Sequence, residues 1–150
     1  MRTFTSADEL VAAAGQDLGT SDWHTVTQDQ INAFADATGD HQWIHIDAQR
    51  AAAGPFGTTI AHGFLTLSLL PMLVHEVYEV VGARMAVNYG VNRVRFPAPL
   101  PSGSDVRAQV SIDSATVDGD RTQVVSRVTI AARDPGKPCC VAETVTLFYF

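Results

Sequence analysis

Apolar and polar positions divide the chain into two unlike halves. Up to about Val81 the apolar residues recur at helical spacing, and from Arg84 onward they alternate. In the first half, Ser6 is placed to cap a short helix through about Ala14, with Glu9 at capping-box spacing and Gly15 as the stop. Gly19 to Val26 alternates weakly and is expected as a strand. Thr27 caps a second helix with Gln30 as its capping-box partner. Ile31, Phe34, Ala35 and Thr38 follow the helical period, and Gly39 ends it. Asp47 can cap a third helix, Ala48 to Ala53, before a Gly54-Pro55-Phe56-Gly57 turn. A long helix is predicted from about His62 to Val81. Phe64, Leu65, Leu67, Leu69, Leu70, Leu73, Val74, Val77 and Tyr78 cover nearly its whole circumference, the pattern of a helix that something must wrap. Pro71 removes one backbone donor and should kink it.

The second half reads as long strands rich in Val, Ile, Thr and Tyr: Arg84 to Phe96, Asp105 to Asp118, Arg121 to Arg133 and Cys139 to Phe150. Gly119-Asp120 and Asp134-Pro135-Gly136 are expected as hairpin turns, and the Pro-rich run Pro97 to Gly103 separates the first strand from the second. Helices first, then an antiparallel meander, is an α+β arrangement with one helix against a curved sheet. At 150 residues one domain over 1–150 is expected.

Charge and cysteines narrow the partners. A net charge of −6 argues against nucleic acid or an anionic membrane as main partner, although a small anionic ligand needs only a local patch. Met1-Arg2-Thr3-Phe4 has no apolar run behind it, so no secretory leader is expected, and the longest apolar stretch is too short for a bilayer. Cys139 and Cys140 are adjacent, and a disulfide between neighbours would be strained. Two thiols without a staple fit a reducing cytoplasm, with packing the main reading and a redox role the minor one.

The chemistry concentrates in Gly39-Asp40-His41-Gln42-Trp43-Ile44-His45, where a carboxylate and two imidazoles follow a helix end. A carboxylate can orient an imidazole or share a water with it, and histidine titrates near working pH. Two readings stand. Asp40 and His45 form an acid/base pair, or Asp40 is a cap and His45 a satisfied buried histidine. His41 and His45 have the offset of a helical metal pair, but Gly39 interrupts a helix there and no further ligands complete a shell; no metal is expected. Trp43 is either core or pocket wall. Ala61-His62-Gly63 opens the apolar helix, whose first N–H groups lack internal partners. Gly63 would let a ligand oxygen approach those donors as in an oxyanion hole, or would only relieve packing.

Together these stretches resemble the MaoC-like dehydratases, the (R)-specific enoyl-CoA hydratases with the hot-dog fold. Gly39-Asp40, Ile44-His45 and His62-Gly63 match the family pattern, as does Arg93-Val94-Arg95-Phe96-Pro97-Ala98-Pro99 with Gly103. Gln42-Trp43 stands where many members have Asn-Pro. That departure, with the Gly54 to Gly57 segment, is similar to the NodN-like branch. The resemblance implies a long central helix wrapped by a curved antiparallel sheet, and reversible addition of water to trans-2-enoyl thioesters of coenzyme A or acyl-carrier protein. It implies Asp40 and His45 as the catalytic pair and the Gly63 N–H as oxyanion donor. Trp43, Phe56, Ala61, His62, Asn88, Tyr89, Gly90, Phe96 and Pro97 would line the substrate site. Arg84, Arg93, Arg95 and Lys137 are the cations available to the carrier's phosphate. No resident cofactor is implied, and a homodimer is. Two rivals remain: a thioesterase on the same fold, for which Glu76 lies deep in the helix, and a non-catalytic thioester-binding subunit, which would be expected to lack the Asp40–His45 pair.

Overall fold

The computed structural model describes residues 1–134 and 136–150; the turn expected at Asp134-Pro135-Gly136 falls on Pro135, which lies outside the described residues. In chain order the elements begin with β1 (Arg2–Phe4), α1 (Ala7–Ala12), β2 (Asp17–Thr20), β3 (His24–Thr25) and α2 (Gln28–Thr38). Next come α3 (Trp43–Ile46), α4 (Ala48–Ala52), α5 (Gly63–Ser68), α6 (Leu70–Val77) and β4 (Tyr78–Val80). The long strands β5 (Met85–Arg95), β6 (Asp105–Asp118), β7 (Arg121–Ala132) and β8 (Cys140–Tyr149) complete the chain.

The local rules act where the sequence places them. Ser6 caps α1 through the Glu9 N–H, and the Glu9 carboxylate reaches back to the Thr5 N–H. Thr27 and Gln30 form a complete capping box on α2, and Gly39 closes that helix at φ 78°, a left-handed conformation that glycine adopts without Cβ strain. β6 and β7 form a hairpin that closes at Asp118 opposite Arg121, around Gly119.

The main sheet has the order β2-β6-β7-β8-β5, with β3 also paired to β6, and every pairing in it is antiparallel. Along β6 the burial alternates, so Val106, Ala108, Val110 and Ile112 face inward. They join Val124, Val128 and Ile130 of β7, and Leu65, Leu70, Leu73 and Val77 of α5 and α6, in one core. Each such side chain contributes roughly 1.5–3 kcal/mol on burial, so this helix–sheet interface dominates the stability. This is the hot-dog arrangement, a central helix held by a curved antiparallel sheet.

Three details depart from the sequence reading. The central helix is interrupted at Leu69, and Pro71 sits in the first turn of α6, where a missing N–H costs nothing. It also ends at Val77 rather than Val81. Tyr78 turns extended, its ring meets Phe4 edge-on at 5.8 Å, and Tyr78–Val80 pairs in parallel with β1. A three-residue strand carries too little pattern to be read from sequence. Finally, the helix is not wrapped all round: Phe64 is 70% exposed and Met72 is exposed too. β5 lies at the sheet edge, with Met85, Val87, Tyr89 and Val91 uncovered.

Candidate active site

The site begins where α2 ends. Gly39 turns the chain, and Asp40 follows with an exposed carboxylate whose Oδ1 accepts from the Gln42 N–H at 3.3 Å. The next residues form the single turn α3, which carries His45 inward until it is only 6% exposed. His45 Nδ1 lies 2.7 Å from the Ile60 carbonyl. A carbonyl only accepts, so Nδ1 carries the proton and Nε2 keeps the lone pair of the neutral ring. The Ile60 N–H returns a bond to the Ile44 carbonyl at 3.0 Å, tying α3 to the strand-like segment before α5. Gln28, at the start of α2, donates to the His45 carbonyl at 2.7 Å and accepts from Thr59 Oγ1 at 2.6 Å. The turn that carries His45 is thus held from both sides.

His62 connects the parts. Its ring is stacked on His45 with centroids 3.8 Å apart and planes 22° from parallel, and Phe34 packs 5.0 Å away. Its Nε2 donates to the Asp40 carbonyl at 2.9 Å, while its buried Nδ1 has no partner. His62 is also the cap residue of α5, and Gly63 is the first residue of that helix. Thr66 Oγ1 bonds the His62 carbonyl at 3.2 Å. A Cβ on Gly63 would lie 2.9 Å from the Phe96 ring, so packing alone favours glycine there.

A cleft of about 390 Å³ opens on His45 and Gly63, while Asp40 and His62 do not line it. His45, Ala61, Gly63, Phe56, Phe96 and Pro97 of the expected set line it, joined by Thr66 and Cys139, which the sequence reading missed. Thr66 lies one helical turn after His62, and that spacing was the available signal. The role of the Ile60 carbonyl had none, because it depends on tertiary contact.

Five expected lining residues lie elsewhere, the first being His62, which is buried and stacked on His45 rather than lining the cleft. Trp43 packs against Gly54 under the Arg50 guanidinium, 4.4 Å from its ring, because the α3 turn points it away from His45. Asn88 and Gly90 line a separate groove of about 200 Å³ with Leu67, Leu70 and Tyr78. Tyr89 falls at a register shift in β5 and is 68% exposed, lining neither. An intervening hollow shares Phe96 with the cleft and Leu67 and Val91 with the groove. These concavities follow one another along the uncovered side of the central helix.

Donor atoms of Asp40, His45 and His62 lie within 4.8 Å of one another. His41 does not join His45; it sits 2.9 Å from Asp36, whose hydrogen bond raises the His41 pKa. Glu76 is committed to His24 at 2.7 Å and to the Asp22 N–H, and does not line the cleft.

A hot-dog fold with a carboxylate and an imidazole beside a helix N-terminus defines the class. The chain belongs to the MaoC-like dehydratase family, whose MaoC like domain matches residues 9–133. It is 56% identical over 149 residues to 3-hydroxyacyl-thioester dehydratase Z of Mycobacterium tuberculosis (strain ATCC 25618 / H37Rv), covering 99% of each chain. It is 41% identical to Nodulation protein N of Rhizobium leguminosarum bv. viciae, over 97% of this chain and 92% of that protein, in line with the NodN-like resemblance. The X-ray structure of the monoamine oxidase regulatory protein from Archaeoglobus fulgius shares the fold at a TM-score of 0.80 and 24% identity, covering 99% of this chain and 96% of that one.

Proposed function

We propose that this protein is an (R)-specific enoyl-thioester hydratase, acting reversibly as a 3-hydroxyacyl-thioester dehydratase in fatty-acid metabolism. The single observation that carries the reading is the His45–Ile60 bond, which leaves His45 Nε2 without a backbone partner, with a His45 ring nitrogen within 4.8 Å of the Asp40 carboxylate and Gly63 on the same cleft. Full-length similarity to a 3-hydroxyacyl-thioester dehydratase supports it.

The thioester carbonyl accepts from the Gly63 N–H, one of the unpaired donors at the positive end of α5. Asp40 and His45 hold a water between them. His45 Nε2 takes one proton as the water oxygen bonds C3, and negative charge passes to the thioester oxygen at Gly63. The pair then returns a proton to C2, so that water has been added and both side chains are restored. Each positioned acid/base group supplies about 10²–10⁴-fold, and an oxyanion donor about 10²–10³-fold. The acyl chain runs along the uncovered side of α5 and α6, past Phe64 and Leu67 toward Tyr78. The reaction needs only water as co-reactant and no resident cofactor or metal.

The working unit is a homodimer. Edge strand β5 and the exposed Phe64 and Met72 leave apolar surface that a second copy would cover. Among the described residues no helix is long and apolar enough to cross a membrane. The two buried, unbridged thiols fit a reducing cytoplasm. Glu76 is engaged elsewhere, which speaks against a thioesterase, and both members of the Asp40–His45 pair are present, which speaks against an inactive subunit.

The test follows loss of enoyl absorbance across trans-2-enoyl-CoA lengths, with chiral analysis of the product and native mass of the purified protein. A (3R) product from a homodimer acting alone is expected. An (S) product, or free thiol released without loss of the enoyl chromophore, would overturn the reading.

A further inference from the structure

The sheet carries a cluster of positive charge that the acid/base chemistry leaves unused. Arg93, Arg95 and Arg127 line one concavity of about 360 Å³ with Pro97, Val141 and Glu143. Most other arginines are occupied. Arg84, Arg121 and Arg133 pair with Asp120, Asp118 and Asp105, while Arg50 and Arg107 lie over tryptophan rings. Arg127 also has a partner, Asp113 at 3.0 Å. Arg93 and Arg95 have no carboxylate in ion-pair range among the described residues, and Arg95 bonds only the neighbouring Val94 carbonyl. Glu143, opposite Arg93 in the sheet, is held by Asn92 Nδ2 at 2.7 Å. In a chain of net charge −6, two uncompensated guanidiniums on one strand end are a local exception.

Their position gives the exception a use. Pro97 lines both this concavity and the His45 cleft. Phe96, between Arg95 and Pro97, packs its ring on Gly63. The strand end therefore runs from the carbonyl-binding helix N-terminus straight to the arginines. A thioester seated on Gly63 has an acyl side and a carrier side. The acyl side follows the groove of Leu67, Leu70 and Tyr78 along the central helix, and the rim at Phe96 and Pro97, where Arg93 and Arg95 also line the adjoining hollow, is left for the carrier arm.

We infer that Arg93 and Arg95, with Arg127 beside them, form the site for the phosphate of the pantetheine carrier. This rests on the hydratase reading. Guanidinium forks suit phosphate oxygens, and the shared chemistry is a phosphate on a pantetheine arm, whether of coenzyme A or of a carrier protein.

The test compares wild type with an Arg93→Gln/Arg95→Gln double variant on three crotonyl thioesters: of coenzyme A, of 4′-phosphopantetheine, and of N-acetylcysteamine, which has no phosphate. The double variant should raise KM for the coenzyme A thioester about 10- to 100-fold with little change in kcat. Turnover of the N-acetylcysteamine thioester should not change, which shows the fold and chemistry intact. A matching loss on 4′-phosphopantetheine assigns the site to the phosphate common to both carriers, and a loss confined to coenzyme A assigns it to the nucleotide phosphates. Glu143→Gln should shift KM the opposite way. An unchanged KM for both phosphorylated substrates, or an equal loss on all three, would overturn the site. If wild type hydrates none of them, the hydratase reading fails, and calorimetric titration with free coenzyme A still decides the site. Weaker binding by the double variant supports it, and equal binding or none by wild type overturns it.

Discussion

His62 lies flat on His45, ring centroids 3.8 Å apart, and at the same time donates to the main-chain carbonyl of Asp40. One side chain thus links the two groups proposed to exchange protons. His62 is also the residue directly before Gly63, at the N-cap position of α5, so it ties both to the start of that helix. Removing it should disturb the pair without removing either member. His62→Ala is expected to cost about 2–4 kcal/mol in urea unfolding, from the void and the unpaired carbonyl. It should also lower kcat by roughly tenfold, equivalent to about 1.4 kcal/mol of barrier. His62→Gln keeps an amide donor of similar reach and should recover part of both losses. Wild-type stability and kcat in the alanine variant would show that the clamp carries nothing.

Gly63 and Phe96 make a second dependent pair. A methyl group at Gly63 would meet the Phe96 ring at 2.9 Å. Gly63→Ala should therefore destabilise by about 1–3 kcal/mol and displace the ring from the cleft rim. Adding Phe96→Leu should restore much of the stability, since it removes the obstructing ring atoms. Thermal unfolding of the single and double variants checks this, and equal melting temperatures for Gly63→Ala and wild type would contradict the contact.

The thiols give a pH dependence with a defined sign. Cys139 and Cys140 are buried, and burial raises both thiols, Cys140 to about 11, with Cys139 beside it adding to the effect. A raised thiol pKa means that the folded state holds its proton after the unfolded chain has lost it. The contribution is complete below the ordinary thiol value near 9 and is lost as pH rises toward 11. The melting temperature should fall between those values, and fall less in a Cys139→Ala/Cys140→Ala variant. Both native thiols should also react slowly with Ellman's reagent at pH 8 and quickly in urea. Identical pH curves for the two proteins would contradict the burial argument.

Much of this was legible because it depends on short-range rules. The capping box of Thr27 and Gln30, the left-handed Gly39 and the strand from Asp105 to Asp118 follow from neighbours in sequence. Asp40, His45 and Gly63 were picked out by motif spacing; Asp40 and His45 have donor atoms within 4.8 Å, and His45 and Gly63 share a cleft. What escaped was tertiary. The one-turn helix around His45 is too short for a period. The Ile60 carbonyl that sets the His45 tautomer is an unmarked backbone atom. Trp43 has the composition of a pocket wall, yet Arg50 and Gly54 claim it. The bare side of the central helix looked buried because hydrophobicity alone does not say what covers it.

The central claim is that Asp40 and His45 together move the proton. Crotonyl-CoA hydration by Asp40→Asn and His45→Gln variants, each shown by circular dichroism to keep the wild-type fold, tests it most directly. Loss of at least about 10²-fold in kcat for each is expected, with the double variant little worse than either single one, because the two act as a unit. Near-normal turnover in either folded single variant would contradict the account.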